Sequence, residues 1–218
     1  MIIATGLAPI LSVVKLPTSE LVAVLVATSF AAGLNLYATV ATLGLLARAG
    51  VLPLPATLTV LTHWSVIAIC SAIFAIEFFA DKIPAFDLIW NALHTFIRVP
   101  VAALIAYRAT AALSPWEQLA ATLAGGVIAL AAHGGKTAVR AAVTPSPEPI
   151  SNMVLSLGED GLAVFLTWFA TQHPYSAAAI VAILLIIIAF LVRWVVRSLR
   201  ALFRGAEEEL GVASPPRT

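Results

Sequence analysis

The sequence contains few charged residues. Of its 218 residues only 11% are Asp, Glu, Lys or Arg, whereas 61% are hydrophobic and the mean hydropathy is +1.01. A soluble domain carries about 25% charged residues, which cover its surface. So small a charged fraction excludes a water-soluble globular fold and predicts a protein whose solvent is lipid.

The sequence has only one cysteine, and it lacks both an excess of basic charge and the common catalytic motifs. The single cysteine, Cys70, excludes an internal disulfide and a CxxC metal or redox site. A net charge of +1 leaves no basic face for nucleic acid. Neither HExxH nor GxSxG occurs, so we expect a protein that is not an enzyme and has no resident cofactor.

Long apolar runs predict an all-α, polytopic membrane protein. A helix of about 20 apolar residues crosses a bilayer, and breaks that contain Pro or Asp separate the runs. Six segments are predicted to cross: 20–48, 64–80, 96–113, 117–142, 151–171 and 174–196. The last of them has no polar residue in AAIVAILLIIIAFLV and is expected to face mostly lipid.

The basic residues predict the orientation. With both termini in the cytoplasm, ten of the twelve Lys and Arg residues lie inside, and only Arg48 and Arg108 lie outside. The positive-inside rule therefore favours six crossings, N-in and C-in. Residues 1–16 are predicted to form an interfacial segment, 17–204 a single transmembrane domain and 205–218 a disordered cytoplasmic tail.

A stripe of arginines follows the last apolar segment. Its members recur at steps of four, three and four residues, so they share one face of a helix that leaves the membrane: Arg193, Arg197, Arg200 and Arg204. Such a stripe is typical of an anchor on anionic phospholipid, and we expect that partner here.

Two segments are predicted to be discontinuous. Gly33 and Asn35 fall in the middle of the first, and Gly134–Gly135 lie within the fourth. Glycine lowers helix propensity by about 1 kcal/mol relative to alanine, and interrupted helices mark the binding site in secondary transporters. The alternative is close helix packing, which we favour for Gly125–Gly126 and leave open for Gly134–Gly135.

Ionisable residues lie inside the apolar segments in pairs. Glu77 and Asp81 are four apart at the end of the second segment, and Lys136 and Arg140 have the same spacing in the fourth. This spacing places each pair on one helical face, so we predict one ionic cluster between the two helices. An ionisable group at bilayer depth costs roughly 2.5–3.5 kcal/mol and usually faces inward.

Two further carboxylates, Glu159 and Asp160, have no obvious partner left for simple pairing, which favours a functional cluster over a purely structural one. We expect Glu159 to carry a proton. The predicted site is a polar cavity open to the cytoplasm, lined by Asn35, Glu77, Asp81, His94, Arg98, His133, Lys136, Arg140, Glu159 and Asp160. If their helices converge, five of these would form a divalent-cation site: Glu77, Asp81, His94, His133 and Glu159.

The sequence also contains two weak internal repeats. In the first, Pro84 precedes His94 by the same spacing as Pro149 precedes Glu159, which relates the hairpin of segments two and three to that of segments four and five. The second is an inverted repeat that matches AAGLNLYAT to AAHGGKTAV. The sequence leaves the choice between the two schemes open.

Three strings resemble a known family. They are GLNLYATV (33–40), EFFADKIPAFDLIWNALHTFIR (77–98) and AAHGGKTAVRAAVTPSPEPISNMVLSLGED (131–160). Together they resemble the bacterial integral-membrane family called the domain of unknown function 4126, over roughly residues 20–171. The resemblance implies a small inner-membrane protein, transporter-like or linked to envelope barrier integrity, without an agreed substrate.

Two functions fit these features. The first is a transporter-like protein with a buried charged cavity for a small or lipid-borne anion, coupled to protons or cations, that supports the envelope barrier. The alternative is a protein that does not transport but binds phospholipid headgroups or a divalent cation for envelope maintenance. The sequence leaves a homo-oligomer open.

Overall fold

The computed structural model describes residues 17–80, 84–143 and 149–209, and these residues form helices and connecting turns without a β-strand. The all-α prediction is confirmed. A short 3-10 helix, Ala56–Thr62, precedes α3. The α-helices are α1 (Thr18–Leu34), α2 (Leu36–Arg48), α3 (Trp64–Ala80), α4 (Pro84–Ala109), α5 (Pro115–Val143), α6 (Pro149–Gln172) and α7 (Pro174–Glu209).

Prolines start the last four helices. The first residues of α4, α5, α6 and α7 are Pro84, Pro115, Pro149 and Pro174. Proline suits this position because the N–H that it lacks would have no partner in the first turn. At α5 the Ser114 hydroxyl and backbone N–H also donate to Glu117 Oε2, at 2.6 and 3.0 Å, as in a capping box.

The start of α1 and the end of α2 lie at the same end of the helix bundle, which we call the first end. α1 begins beside the start of α7, where the hydroxyls of Ser19 and Tyr175 are 2.9 Å apart. α2 ends beside the start of α3, where Arg48 Nη1 donates to the Thr62 carbonyl at 2.9 Å. The Thr57 hydroxyl donates to a backbone carbonyl at the end of α4, which places the 3-10 helix there too. The second end holds the end of α3, the start of α4, the end of α5, the start of α6 and the end of α7.

α1 and α2 therefore form a helical hairpin whose tip lies within the bundle. α1 runs inward from the first end for about 25 Å, and α2 returns for about 20 Å at 1.5 Å per residue. The prediction that residues 20–48 are interrupted is confirmed, whereas the single crossing predicted for them is not, because α2 returns toward the first end. The start of α1 and the end of α7 consequently lie at opposite ends, unlike in the N-in, C-in prediction.

Asn35 produces the turn between the two helices. Its backbone is extended, with φ −146° and ψ 104°, so the chain changes direction over a single residue. Its side-chain Oδ1 accepts from the Ala38 N–H at 2.9 Å and caps α2. Gly33 lets the tip approach α5 closely, since a Cβ at this position would lie 2.7 Å from the Ala132 Cβ.

The second predicted interruption is wrong, because α5 is one continuous helix through Gly134–Gly135. The packing alternative holds at Gly135, where a Cβ would lie 2.7 Å from two side-chain carbons of Ile188 in α7. It also holds at Gly125, where a Cβ would lie 2.8 Å from the Ala106 Cβ in α4. Close tertiary contact here offsets the low helix propensity of glycine.

The core is built around α1. This helix packs on α4, α5, α6 and α7, and all residues from Ala27 to Leu34 are buried. α7 differs, because only 6% of an apolar 18-residue window within Pro174–Ser198 is buried, as expected for a helix that faces mostly lipid. Large exposed apolar side chains such as Ile187 and Phe190 cover its outer surface.

Several described helices are long and apolar enough to cross a membrane. Three helices meet this criterion by themselves. The 3-10 helix and α3, which are bent by 60° relative to each other, meet it together as a fourth. The three are Pro115–Arg140, Met153–Gln172 and Pro174–Ser198. The protein is thus a helical membrane protein, while the six predicted crossings are supported only in part.

Some sequence predictions fall outside the described residues. These are the interfacial segment 1–16, the site residue Asp81 and residues 210–218 of the tail, whereas α7 continues to Glu209. The parallel repeat stays a prediction that fits the fold, since His94 and Glu159 occupy the same position in helices that leave the second end. The inverted repeat fits poorly, because it matches the α1–α2 turn to continuous helix.

Candidate functional site

The tip of the hairpin is held by side chains from two other helices. Asn35 is fully buried and its Nδ2 donates to Asp160 Oδ1 of α6 at 2.9 Å. The Leu34 carbonyl at the end of α1 accepts from Arg98 Nη1 of α4 at 3.1 Å. Helix-terminal groups in lipid need such partners because no water is available to them.

A fully buried ion pair lies beside this tip. Glu77 of α3 and Arg98 of α4 form a salt bridge, and neither side chain has exposed surface. Burial removes the hydration of both charges, so each depends on the other and on nearby dipoles. The pair connects α3 to the rest of the bundle at the depth of the hairpin tip.

Two histidines extend the network. His133 Nδ1 lies 3.3 Å from Arg98 Nη1, and its Nε2 lies 2.6 Å from the Thr95 hydroxyl. Arginine has only donors, so Nδ1 accepts and a neutral His133 carries its proton on Nε2. His94 Nε2 lies 3.0 Å from the Tyr37 hydroxyl of α2, which links the returning arm of the hairpin to α4.

A second group of charges lies between α5 and α6. Glu159 Oε2 accepts from Lys136 Nζ at 3.2 Å and from Arg140 Nη2 at 2.9 Å. One carboxylate oxygen of α6 thus serves two cations that are one turn apart on α5. The Glu159 side chain is 12% exposed and that of Lys136 only 1%, so the carboxylate is the more accessible partner.

The structure brings together nine of the ten predicted site residues, and the tenth, Asp81, lies outside the described residues. The predicted pairing with α5 is wrong for Glu77 and stays a prediction for Asp81, and the partners of Glu159 were not predicted. Glu77 pairs with Arg98, not with the basic residues of α5. Glu159 has two cationic partners, although the sequence offered none.

Two members of the network were missed in the sequence, Tyr37 and Thr95. Both are adjacent or close in sequence to predicted members, in the strings GLNLYATV and HTFIR. Their polar side chains, next to predicted site residues in an apolar segment, were the signal that could have identified them. The Leu34 carbonyl is a backbone group and left no signal at all.

The network is balanced in charge among the described residues. Three acidic side chains, Glu77, Glu159 and Asp160, face three basic ones, Arg98, Lys136 and Arg140. Within the described residues no three His, Cys, Asp or Glu side chains are grouped to hold a metal ion. The predicted divalent-cation site would therefore need a ligand from outside them.

Two cavities of about 320 and 560 Å³ lie in the described part of the bundle. Neither is lined by any of the ten predicted site residues. The smaller lies between the starts of α1 and α5, and Tyr37 is the member of the network that lines the larger.

Comparison with known proteins gives one match. A family model with the description domain of unknown function (DUF4126) matches residues 22–194, a range that contains every described member of the network. A comparison with the curated proteins found no match, and a comparison with the solved structures found none either.

Proposed function

The chain belongs to the family of the domain of unknown function (DUF4126), and we propose from its own buried network that it is a proton-coupled transport protein for a small or lipid-borne anion. The observation that carries the proposal is the contact of one carboxylate, Glu159, with both Lys136 and Arg140. A carboxylate and an incoming anion would compete for the same two cations.

Competition of this kind couples the anion to a proton. When Glu159 is protonated it loses its charge, and its hold on Lys136 and Arg140 weakens. Protonation removes one negative charge from beside Lys136 and Arg140, which strengthens the attraction of both cations for an incoming anion. One proton is then taken up for each anion bound, and release of the anion lets Glu159 ionise again.

The hairpin supports a transport role. In secondary transporters, helices that stop within the membrane bring backbone ends to a site near the midplane. Here the tip of α1–α2 meets Arg98 and Asp160, and Asp160 is the chain neighbour of Glu159. A change of charge at the site thus reaches the hairpin over a few contacts.

The proposed membrane arrangement has five crossings, α3 to α7, with the hairpin entering from the first end. The second end is cytoplasmic, because Lys136, Arg140 and the four arginines of α7 lie toward it. Location in the bacterial inner membrane and support of the envelope barrier remain predictions.

Proton flux into liposomes tests the function. Purified protein is reconstituted in liposomes that contain the pH indicator pyranine, and inward gradients of phosphate, sulfate or chloride are imposed at equal pH. We expect at least one anion to acidify the lumen with the natural protein. Glu159→Gln should abolish this proton movement, because Gln cannot release a proton.

Glu117→Gln is the matched control, since Glu117 is an exposed carboxylate at the start of α5 outside the network. It should acidify the lumen as the natural protein does. Acidification by Glu159→Gln at the natural rate, or no acidification by the natural protein with any of the three anions, would refute proton-coupled anion transport.

One observation favours the second candidate, phospholipid binding without transport. The four arginines of α7 are all exposed on a helix of about 54 Å, which is longer than a bilayer core. A helix of this length supports a position of Arg197 and Arg200 at the headgroups of the second end. If they hold anionic lipid, Arg197→Gln with Arg200→Gln should reduce the phosphatidylglycerol that copurifies with the protein.

A further inference from the structure

The consecutive helices α3 and α4 diverge toward the first end. They touch at few positions, and a cavity of about 560 Å³ lies between them, with α2 as its floor and the 3-10 helix at its mouth. Cavities that bind small ligands measure about 300–1,000 Å³. Most of the lining is apolar, with Leu36, Val40, Leu61, Val101 and Ile105 among it.

The polar groups of this cavity lie at its two ends. Arg108, near the end of α4, is exposed at the first end. Tyr37 lies deeper, and its hydroxyl is already engaged with His94. The cavity therefore has a cation at the mouth and hydrocarbon within, which is the polarity of a lipid molecule in a bilayer.

The surroundings of the cavity are those of a lipid-facing surface. Ile97 and Leu104 of α4 line it and are 42% and 51% exposed, so it borders the surface that hydrocarbon covers. Of the basic residues that the structure describes at this end, Arg48 donates to Thr62 and lies over the Trp64 ring at 4.3 Å. Arg108 makes no ion pair within the described residues and is available to an anionic headgroup.

We propose that one anionic phospholipid occupies this cavity, with an acyl chain between α3 and α4 and its headgroup on Arg108. The lipid would come from the leaflet at the first end. The site is separate from Glu159 and its two cations, so it does not depend on the transport proposal.

Cys70 provides the test, because it lines the cavity, is half-buried and is the only cysteine in the chain. The full-length protein is placed in nanodiscs of phosphatidylcholine or of phosphatidylcholine with phosphatidylglycerol, with identical acyl chains. The rate of Cys70 modification by N-ethylmaleimide, a neutral reagent, is then measured. Phosphatidylglycerol should slow the reaction about fivefold, the factor that corresponds to about 1 kcal/mol for one arginine at an anionic lipid.

Two variants define the site, and each has a control. Arg108→Gln should remove the effect of phosphatidylglycerol, whereas its control Arg193→Gln, an exposed arginine of α7, should keep it. Val101→Phe should fill the cavity and slow the reaction in both lipids. Val127→Phe, the same change at a position of α5 that is 64% exposed, should leave the rates unchanged.

Four results would overturn the proposal. Equal rates in the two lipids would show that no anionic lipid is held, and a phosphatidylglycerol effect that survives Arg108→Gln would show that Arg108 does not bind the headgroup. Protection by inorganic phosphate in phosphatidylcholine nanodiscs would make the ligand a small anion and not a lipid. A Cys70 that fails to react in phosphatidylcholine would show that the cavity is closed to the membrane. Glu159→Gln should keep the lipid effect, so failure of the transport proposal is distinguishable from failure of this one.

Discussion

Replacement of Glu77 by Gln should destabilise the protein strongly. The change leaves Arg98 charged in a place where neither side chain of the pair has exposed surface. Breaking a buried ion pair on one side costs about 3–5 kcal/mol. We expect the lower part of this range, about 3 kcal/mol, because Arg98 still donates to the Leu34 carbonyl and His133.

A double-mutant cycle separates the pair from its surroundings. Glu77→Gln with Arg98→Gln removes both charges, so the loss should be smaller than the sum of the single losses by about 1 kcal/mol or more. Unfolding by sodium dodecyl sulfate in mixed micelles, followed by circular dichroism, measures the four proteins. Strict additivity would show that the two charges do not interact and would refute the reasoning.

Two further cycles are the controls. Arg108 lies about 15 Å along α4 from Arg98 at 1.5 Å per residue, so Glu77→Gln with Arg108→Gln should be additive within about 0.5 kcal/mol. Glu77→Gln with Lys136→Gln tests the pairing predicted from the sequence. Its coupling should be smaller than that with Arg98, because Lys136 pairs with Glu159.

Three other predictions concern the hairpin. In a Cys70→Ser background, cysteines at Thr18 and Pro55 should react with an impermeant maleimide from the same side of the membrane and a cysteine at Arg200 from the other, whereas six crossings would place Thr18 and Pro55 on opposite sides. Gly33→Ala should cost about 1–3 kcal/mol in the micelle assay because its Cβ would meet α5, while Gly134→Ala, with open space around it, should be neutral or stabilise by up to about 1 kcal/mol; equal effects would contradict the close approach. Asn35→Ala should cost about 1–2 kcal/mol for the lost cap of α2, and more if the bond to Asp160 contributes; no loss would show that the tip is held by other contacts.

Helix positions were predictable because their signals are local. The segment predicted at 117–142 corresponds to α5 at Pro115–Val143, and the one predicted at 151–171 corresponds to α6 at Pro149–Gln172. Apolar runs and prolines set these limits without help from the rest of the fold. Membership of the buried network was predictable for a similar reason, since a charge in lipid is costly whatever its partner.

Partners were not predictable, because they depend on how helices are arranged around one another. The i,i+4 spacing placed Glu77 on a defined face of α3 but gave no information on which helix that face meets. α4 packs against α5 and carries Arg98 to Glu77, whereas Lys136 and Arg140 of α5 contact Glu159 of α6.

The hairpin was not predicted from the sequence, for two reasons. Residues 20–48 are long enough for one crossing. In the sequence, an apolar run with a polar break looks the same whether the chain goes on across the membrane or turns back. The positive-inside rule could not distinguish a crossing from a hairpin, because Lys15 is the single basic residue before Asn35. Moving one charge to the other side changes the asymmetry little.

The fold and the proposed function use different parts of the network. Asn35, Arg98 and Asp160 bind the hairpin tip, whose backbone ends would otherwise be unsatisfied in lipid, so these side chains are needed for the structure itself. Glu159 contacts two cations of α5. The structural interpretation of the buried charges therefore applies to Asp160, and the functional interpretation applies to Glu159. These two residues are adjacent in α6. A variant at Asp160 should perturb folding first, whereas one at Glu159 should perturb proton coupling in a protein that still folds.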